Sequence, residues 1–155
     1  MSAEPLLAAL RTGGLSLAVA ESLTGGALAA RIVAEPGASA VFRGGWVSYA
    51  TEAKASMLGV DAALLAGAGP VDAQVAIQMA DSARRQLQVD LALATTGVAG
   101  PTPQHGQPVG TVFVAAALAG TPTRVRGYRL AGSRGQISNV TVELALSLGS
   151  ATLSG

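Results

Sequence analysis

The order of predicted elements indicates an α/β fold, a three-layer α/β/α sandwich built on a mixed, mostly parallel sheet. Predicted strands and helices alternate over the earlier part of the chain, which is typical of parallel strands joined by helices. A predicted hairpin and a closing helix follow, and they add one antiparallel strand. Half of the 155 residues are hydrophobic and 12% are charged, so most faces of these elements should be covered. This length fits one domain, residues 1–155.

The first part of the chain alternates helices and strands. Its opening helix is amphipathic, with Leu6, Leu7 and Leu10 on one face. The glycine pair Gly44–Gly45 in the second strand predicts a bulge or a close approach of two backbones. The predicted elements are a helix over 2–12, a strand over 15–19, a helix over 27–33, a strand over 41–49 and helices over 50–59 and 61–66.

The second part begins with a helix that Asp72 caps and that runs to Gln88. An apolar strand follows, and two further strands are close enough in sequence to pair as a hairpin. The chain ends in a helix and a short tail of small and polar residues. The predicted bounds are 90–96, 109–118 and 123–130 for the strands and 136–148 for the last helix.

A polar turn joins the first predicted strand to the helix that follows it. Ser22 and Thr24 supply hydroxyl groups there, and Gly25 and Gly26 leave the backbone accessible. The unpaired N–H groups at a helix start favour a bound anion, so this turn is a candidate site for a phosphate or a carboxylate. The alternative is purely structural: Thr24 caps the helix and Ser22 completes the turn.

The composition argues against several classes of function. A net charge of +1 gives no electrostatic footprint for nucleic acid or for an acidic membrane surface. The absence of cysteine rules out disulfides, thiolate metal sites and a thiol nucleophile, and one histidine with scattered carboxylates predicts no metal site. Without a long apolar segment, the expectation is a soluble, cytoplasmic protein that binds no membrane. Low charge and high apolar content favour a homo-oligomer.

Lys54 is the only lysine among ten basic residues. A lysine that loses its proton on burial can act as a base, whereas an arginine remains charged. The alternative interpretation is that one surface lysine has survived by chance. The other candidate base, His105, lies in a loop of proline, glutamine and glycine, where an incidental role is the simpler interpretation.

Ser22 and Lys54 together predict a nucleophile and its base. A serine hydroxyl reacts only when a neighbouring group takes its proton, and lysine replaces histidine in known variants of the serine triad. Tyr49 lies five residues before Lys54, where it can relay a proton, donate to an oxyanion or be merely structural. Glu21 either orients the serine turn or pairs with Lys54.

The predicted strand over 90–96 ends in a second cluster of hydroxyl groups and glycines. It reads Thr95-Thr96-Gly97-Val98-Ala99-Gly100-Pro101, a loop rich in backbone donors. Ser22, Tyr49 and Thr96 each follow a predicted strand. Because ligands bind at the carboxyl ends of strands in such sheets, we expect these three residues to converge at one edge.

Four blocks of this sequence, in the same order, resemble the CinA C-terminal domain family. They are Ala20-Glu21-Ser22-Leu23-Thr24-Gly25-Gly26, the segment 45–60 with Tyr49 and Lys54, Thr96-Gly97-Val98-Ala99-Gly100-Pro101, and Pro108-Val109-Gly110-Thr111-Val112. The resemblance covers roughly residues 5–150 and is more specific than any one block.

The resemblance implies the same three-layer fold and an activity, the deamidation of nicotinamide mononucleotide to nicotinate mononucleotide and ammonia. It implies Ser22 as nucleophile, Lys54 as base and Tyr49 as an assisting group, with neither a metal nor an organic cofactor. The substrate nucleotide is then expected to contact the residues that follow the strands and the start of the last helix: Thr24, Gly25, Gly26, Thr96, Gly97, Gly100 and Arg134.

The chain departs from the family pattern at three places. Residues 102–107 read Thr-Pro-Gln-His-Gly-Gln where the family has an acidic or glycine-rich continuation, and Ser138 stands where a further arginine is expected. Asp72 and Ala73 replace the more usual serine and glutamate.

Two other functions remain open at this point. One is a catalytically silent nucleotide-binding or assembly domain, and the other is an amidase or esterase for a different small substrate.

Overall fold

A five-stranded sheet lies at the centre of the computed structural model, which describes all 155 residues. The strand order is β2-β1-β3-β4-β5. The first three strands are parallel, whereas β4 pairs in antiparallel fashion with both β3 and β5. Only β4 therefore runs against the others, as expected for a mixed, mostly parallel sheet. The bounds are β1 Leu17–Glu21, β2 Phe42–Val47, β3 Leu91–Gly97, β4 Thr111–Leu118 and β5 Arg124–Arg129.

Six helices cover the two faces of this sheet and complete the three layers. Three of them, α1, α2 and α6, pack with one set of strand residues, and α3, α4 and α5 pack with the opposite set. No helix has the length and apolar character needed to cross a membrane. The bounds are α1 Glu4–Gly13, α2 Ala27–Val33, α3 Thr51–Leu58, α4 Ala62–Gly67, α5 Ala73–Leu87 and α6 Arg134–Leu153.

The two faces of the sheet carry side chains of different size. Because side chains alternate along a strand, β1 directs Leu17 and Val19 to one layer and Ala18 and Ala20 to the other. The alanine face continues across β3 and β4 and packs against α5. Small side chains on this face allow the helix to approach the sheet closely. The buried alanines of the face are Ala18, Ala20, Ala92, Ala94, Ala115 and Ala117.

The glycine pair of β2 produces both of the features that it predicts. The register between β1 and β2 shifts between Leu17 and Ala18, opposite the segment from Phe42 to Gly44. At Gly45, a Cβ atom would lie 2.2 Å from the carbonyl oxygen of Val19. Any larger residue at this position would therefore separate the two strands.

Helix α6 is longer than the sequence predicts. It continues to Leu153 instead of ending at Leu148. A Cβ atom on Gly149 would lie 3.1 Å from Leu93 and 3.3 Å from Leu6, so the helix passes close to β3 and α1 at this glycine. Thr152 is buried and its hydroxyl donates to the carbonyl of Leu148. The small and polar composition of this segment therefore reflects close packing and not a loose tail.

Candidate active site

A cleft opens at the edge of the sheet where the three parallel strands end. β1 lies between β2 and β3, so the chain crosses over β1 between its second and third strands. Such a switch of direction is where ligands bind in α/β sheets. The cleft has about 420 Å³ of empty volume, including its open mouth, and no carboxylate lines it. Among its lining residues are Ser22, Tyr49, Lys54, Thr96, Gly97 and His105.

Ser22 and Lys54 meet at the floor of this cleft. The Nζ atom of Lys54 lies 2.9 Å from the Oγ atom of Ser22 and 2.8 Å from the carbonyl oxygen of Ser48. Lys54 is 1% exposed and Ser22 is 7% exposed. Ser22 directly follows β1, and Lys54 lies in the first turn of α3, just after β2. The two residues are 32 positions apart in sequence and are brought together by the pairing of their strands.

Burial changes the acid–base chemistry of Lys54. Loss of hydration lowers the pKa of its ammonium group to about 8, and the nearby carboxylate of Glu52 opposes this effect by favouring the charged form. With this pKa, about a tenth of the lysine is neutral at pH 7. The neutral amine has a lone pair at hydrogen-bond distance from the serine hydroxyl, so it can accept that proton.

The carboxylate of Glu21 occupies the start of α2. Glu21 is fully buried and has no cationic partner. It accepts hydrogen bonds from the hydroxyl of Thr24 at 2.6 Å and from the main-chain N–H groups of Gly26, Leu28 and Ala29 at 3.2, 2.9 and 3.0 Å. The expectation that the substrate anion binds at this helix start is therefore wrong, because the protein's own carboxylate fills the position.

The side chain of Thr24 is also directed into the protein. It is 4% exposed, it does not line the cleft, and its hydroxyl bonds to Glu21 and Thr95 instead of capping α2. Gly25 and Gly26 have positive φ angles of 56° and 99°, which explains glycine at both positions. Their N–H groups are bonded to Ser22 and Glu21. These three residues therefore shape the serine turn and do not line the cleft.

We expect Glu21→Gln to lower the free energy of unfolding by about 3 kcal/mol, because an amide NH₂ group would face several buried N–H donors. Chemical denaturation measures this change. Glu52→Gln is the matched control, since Glu52 is exposed and makes no hydrogen bond, and its effect should stay within about 0.5 kcal/mol. Equal stability losses in the two variants would contradict the role given to Glu21.

The model of the CinA C-terminal domain family matches residues 1–153 of this chain. The chain belongs to this family. It is 53% identical over 141 residues to a CinA-like protein of Frankia casuarinae and 51% identical over 138 residues to one of Geobacter sulfurreducens. These matches cover 90% and 88% of the chain but 32% and 33% of the two relatives. The CinA domain described here thus spans about a third of the length of the curated relatives that it matches.

Solved structures share the whole fold of this CinA domain. A CinA superfamily protein from Klebsiella pneumoniae superposes with a TM-score of 0.94 at 30% identity and covers 98% of this chain and 95% of its own. A competence or damage-inducible protein from Enterobacter asburiae gives 0.93 at 32% identity, with 97% and 95% covered. None of these names specifies a reaction, so the family assignment leaves the activity open.

The remaining predicted residues of the CinA domain form one side of the cleft and its rim. The hydroxyl of Thr96 donates to the carbonyl of Pro70 at 2.7 Å, so this hydroxyl joins the end of β3 to the loop between α4 and α5. Arg134 does not line the cleft but lies at its rim, where its guanidinium donates to the hydroxyl of Tyr49 and to the carbonyl of Gly100. The Tyr49 hydroxyl is therefore directed to Arg134, and only its carbonyl approaches Lys54, at 3.5 Å.

Two residues that sequence reasoning did not select help to build the site. The carbonyl of Ser48 holds Lys54, and the Ser48 N–H donates to the carbonyl of Glu21 at 2.9 Å. Thr95 is fully buried, and its hydroxyl lies 2.8 Å from that of Thr24 and 3.4 Å from the N–H of Ser22. The alternation of side chains along β3 was a usable signal, because adjacent threonines must supply hydroxyls to opposite faces.

Proposed function

We propose that this CinA domain is an amidohydrolase that converts nicotinamide mononucleotide to nicotinate mononucleotide and ammonia. The observation that carries the reaction class is the 2.9 Å contact between the Ser22 hydroxyl and the buried amine of Lys54. A domain that only binds a nucleotide needs no serine paired with a lysine whose pKa is lowered to about 8. The choice of substrate rests on the resemblance of the site blocks to the CinA family.

The two residues suffice for acyl transfer in two steps. In the first, neutral Lys54 takes the proton of Ser22 as its Oγ atom bonds to the amide carbonyl carbon, and the lysine then gives this proton to the departing nitrogen as the C–N bond breaks. Ammonia leaves, and the acid remains as an ester of Ser22. In the second, Lys54 takes a proton from water as the water oxygen bonds to the ester carbonyl carbon. The lysine then gives this proton to the Oγ atom as the ester C–O bond breaks, which restores both Ser22 and neutral Lys54.

The turn after Ser22 offers donors for the oxyanion. Because the N–H groups of Gly25 and Gly26 are already bonded, the donors that remain are those of Leu23 and Thr24, which make no hydrogen bond within the protein. Leu23 also lines the cleft. An N–H group next to the nucleophile is a common source of oxyanion stabilisation in serine hydrolases. Since Thr24 does not line the cleft, we assign this role to the N–H of Leu23 in place of the glycines.

Arg134 is the candidate partner of the substrate phosphate. It forms no ion pair with a carboxylate, and no acidic side chain lines the cleft beside it. Its contacts with Tyr49 and Gly100 hold the guanidinium at the rim, and a guanidinium with remaining N–H donors binds phosphate in a bidentate manner. Since the start of α2 is filled by Glu21, Arg134 replaces that helix start as the position for the phosphate.

Arg134→Ala should raise the KM for nicotinamide mononucleotide about tenfold and change kcat little, because the phosphate is bound equally in the ground and transition states. Steady-state ammonia release measures both constants. Arg43→Ala is the control and should leave KM unchanged. It removes an exposed arginine near the start of β2, at the opposite end of that strand from the cleft. A fall in kcat with an unchanged KM would assign Arg134 to catalysis instead of phosphate binding.

The decisive test of the proposed function is ammonia release from nicotinamide mononucleotide by the purified domain, with nicotinate mononucleotide identified as the second product. Stoichiometric formation of both is the expected result. Calorimetric binding of the nucleotide without turnover would favour the silent nucleotide-binding domain. Turnover of other small amides or esters, but not of this nucleotide, would keep the dyad and replace the substrate.

A further inference from the structure

The loop between β3 and β4 folds back into a tight turn that reaches the cleft. The N–H of Gln104 donates to the carbonyl of Gln107 at 3.1 Å, and the N–H of Gln107 donates to the carbonyl of Gln104 at 2.8 Å. His105 and Gly106, at the tip, have positive φ angles of 50° and 73°. A glycine suits such a position, whereas the histidine adopts this conformation at an energetic cost. Gln104 and His105 both line the cleft that contains Ser22 and Lys54.

The loop between α4 and α5 packs against this turn. Gly69, with a φ angle of 80°, approaches His105 so closely that a Cβ atom on the glycine would lie 3.2 Å from the Cβ of the histidine. The next residue, Pro70, lines the cleft and accepts the hydroxyl of Thr96 through its carbonyl. The turn is thus held by its own hydrogen bonds and by packing against Gly69, which places His105 at a defined position relative to the dyad.

The polar side chains of this turn are free to contact a ligand. Neither the imidazole of His105 nor the amide group of Gln104 forms a hydrogen bond within the protein. Both residues are exposed at the mouth of the cleft, whereas Ser22 and Lys54 are buried at its floor. A substrate whose amide group reaches Ser22 must therefore extend past Gln104 and His105 as it leaves the cleft.

The chemistry of the two side chains selects which part of the substrate they contact. An imidazole and an amide can each both donate and accept hydrogen bonds, which is what the hydroxyl groups of a sugar require. Arg134, the proposed phosphate ligand, contacts Gly100 at the base of the same loop. Gln104 and His105 line the cleft at its mouth, above the buried dyad. The ribose is the part of the nucleotide attached to the base, so it is the part that meets these two side chains when the amide reaches Ser22.

We propose that Gln104 and His105 form a ribose subsite and act as specificity-determining residues for nucleotide amides. This inference rests on the proposed function, because it takes the amide end of the substrate to Ser22. It also assigns a purpose to the segment 102–107, in which the chain departs from its family. The histidine for which the sequence favoured an incidental role becomes a contact to the substrate.

The test compares three amides that share the nicotinamide ring: the mononucleotide, the riboside and free nicotinamide. His105→Ala should lower kcat/KM about tenfold for the mononucleotide and the riboside, mostly through KM, as expected for the loss of one or two hydrogen bonds. It should leave kcat/KM for free nicotinamide unchanged. Gln104→Ala should show the same pattern, and Thr102→Ala, an exposed loop residue outside the cleft, should affect none of the three.

Each contrary pattern overturns the inference in a recognisable way. An equal loss of kcat/KM for all three amides would mean that the substitution disturbs the dyad. A loss of kcat/KM confined to the mononucleotide would mean that His105 contacts the phosphate. An unchanged kcat/KM for all three would mean that there is no ribose subsite at His105. If the wild-type domain releases no ammonia, the proposed function fails, and calorimetry with nicotinamide mononucleotide still tests the subsite. Tighter binding by wild type than by His105→Ala then supports it, whereas equal affinity or no binding by both overturns it.

Discussion

Ser22→Ala is expected to lower the rate of ammonia release at least about a thousandfold, because no other group at the cleft floor can form the acyl intermediate. Lys54 remains in place, and the cleft keeps its shape apart from one missing oxygen. Binding of nicotinamide mononucleotide should therefore change by no more than about twofold. Initial rates of ammonia release and calorimetric titration of the nucleotide measure the two effects separately.

Ser82→Ala is the matched control for this variant. Ser82 is also a buried serine, but it lies on α5 away from the cleft, where its hydroxyl accepts a hydrogen bond from Gln86 at 2.9 Å. Its substitution should leave the rate of ammonia release within about twofold of wild type. If Ser22→Ala retained more than a tenth of the wild-type activity, a water molecule and not Ser22 would be the attacking group.

The positions of Ser22 and Lys54 were accessible from sequence because each depends on a simple local pattern. Ser22 follows an apolar strand and precedes a helix, and residues at the carboxyl ends of parallel strands must meet at one edge of the sheet. Lys54 lies in the first turn of the helix after the neighbouring strand and is the only lysine in a chain with nine arginines. Strand pairing then converts a separation of 32 residues into a contact of 2.9 Å.

The contacts of Glu21 and Tyr49 could not be read in the same way, because they depend on side-chain directions that local patterns leave open. The sequence allowed Glu21 to orient the turn or to pair with Lys54, and only three-dimensional geometry shows its carboxylate directed to the N–H groups of α2. Likewise, Tyr49 follows β2 as expected, but its hydroxyl is directed to Arg134. That contact depends on where α6 begins, 85 residues later.

The same limit applies to His105. Its loop contains no apolar periodicity from which a direction can be derived, and its position depends on a turn closed by main-chain hydrogen bonds and on contact with Gly69. The absence of a side chain at Gly69 provides the space, but nothing in the sequence links residues 69 and 105. Sequence reasoning thus finds residues fixed by strands and misses those fixed by contacts between loops.

Lys54 should be needed for activity because its neutral amine accepts a proton, and not because its side chain can carry a positive charge. Lys54→Arg keeps a cation but cannot supply a lone pair, so ammonia release should fall at least about a thousandfold, as for Ser22→Ala.

In wild type, kcat should increase with pH through a pKa of about 8, since only the neutral amine accepts the serine proton. Glu52→Gln should shift this rise to lower pH, because the Glu52 carboxylate raises the pKa of Lys54.

The buried lysine should also make folding stability depend on pH. Its pKa is about 8 in the folded protein and near 10.5 when unfolded, so between these values the unfolded chain binds the additional proton. Stability therefore rises with pH across this window, by a total of about 3 kcal/mol, and below pH 8 the protein carries the full cost of burying the charged amine. Denaturation of Lys54→Met and of Ser22→Ala from pH 7 to pH 11 separates this effect from other titrations.

Lys54→Met removes the titrating group, so its stability curve should lack the rise, whereas Ser22→Ala keeps the lysine and should retain it while being equally inactive. The pair thus separates the energetic cost of the buried amine from its use in catalysis. Parallel curves for the two variants would mean that Lys54 is hydrated in solution and holds its proton at neutral pH. Ser22 would then lack a base, and the rise of kcat near pH 8 should disappear with the stability effect, because both depend on the same lowered pKa.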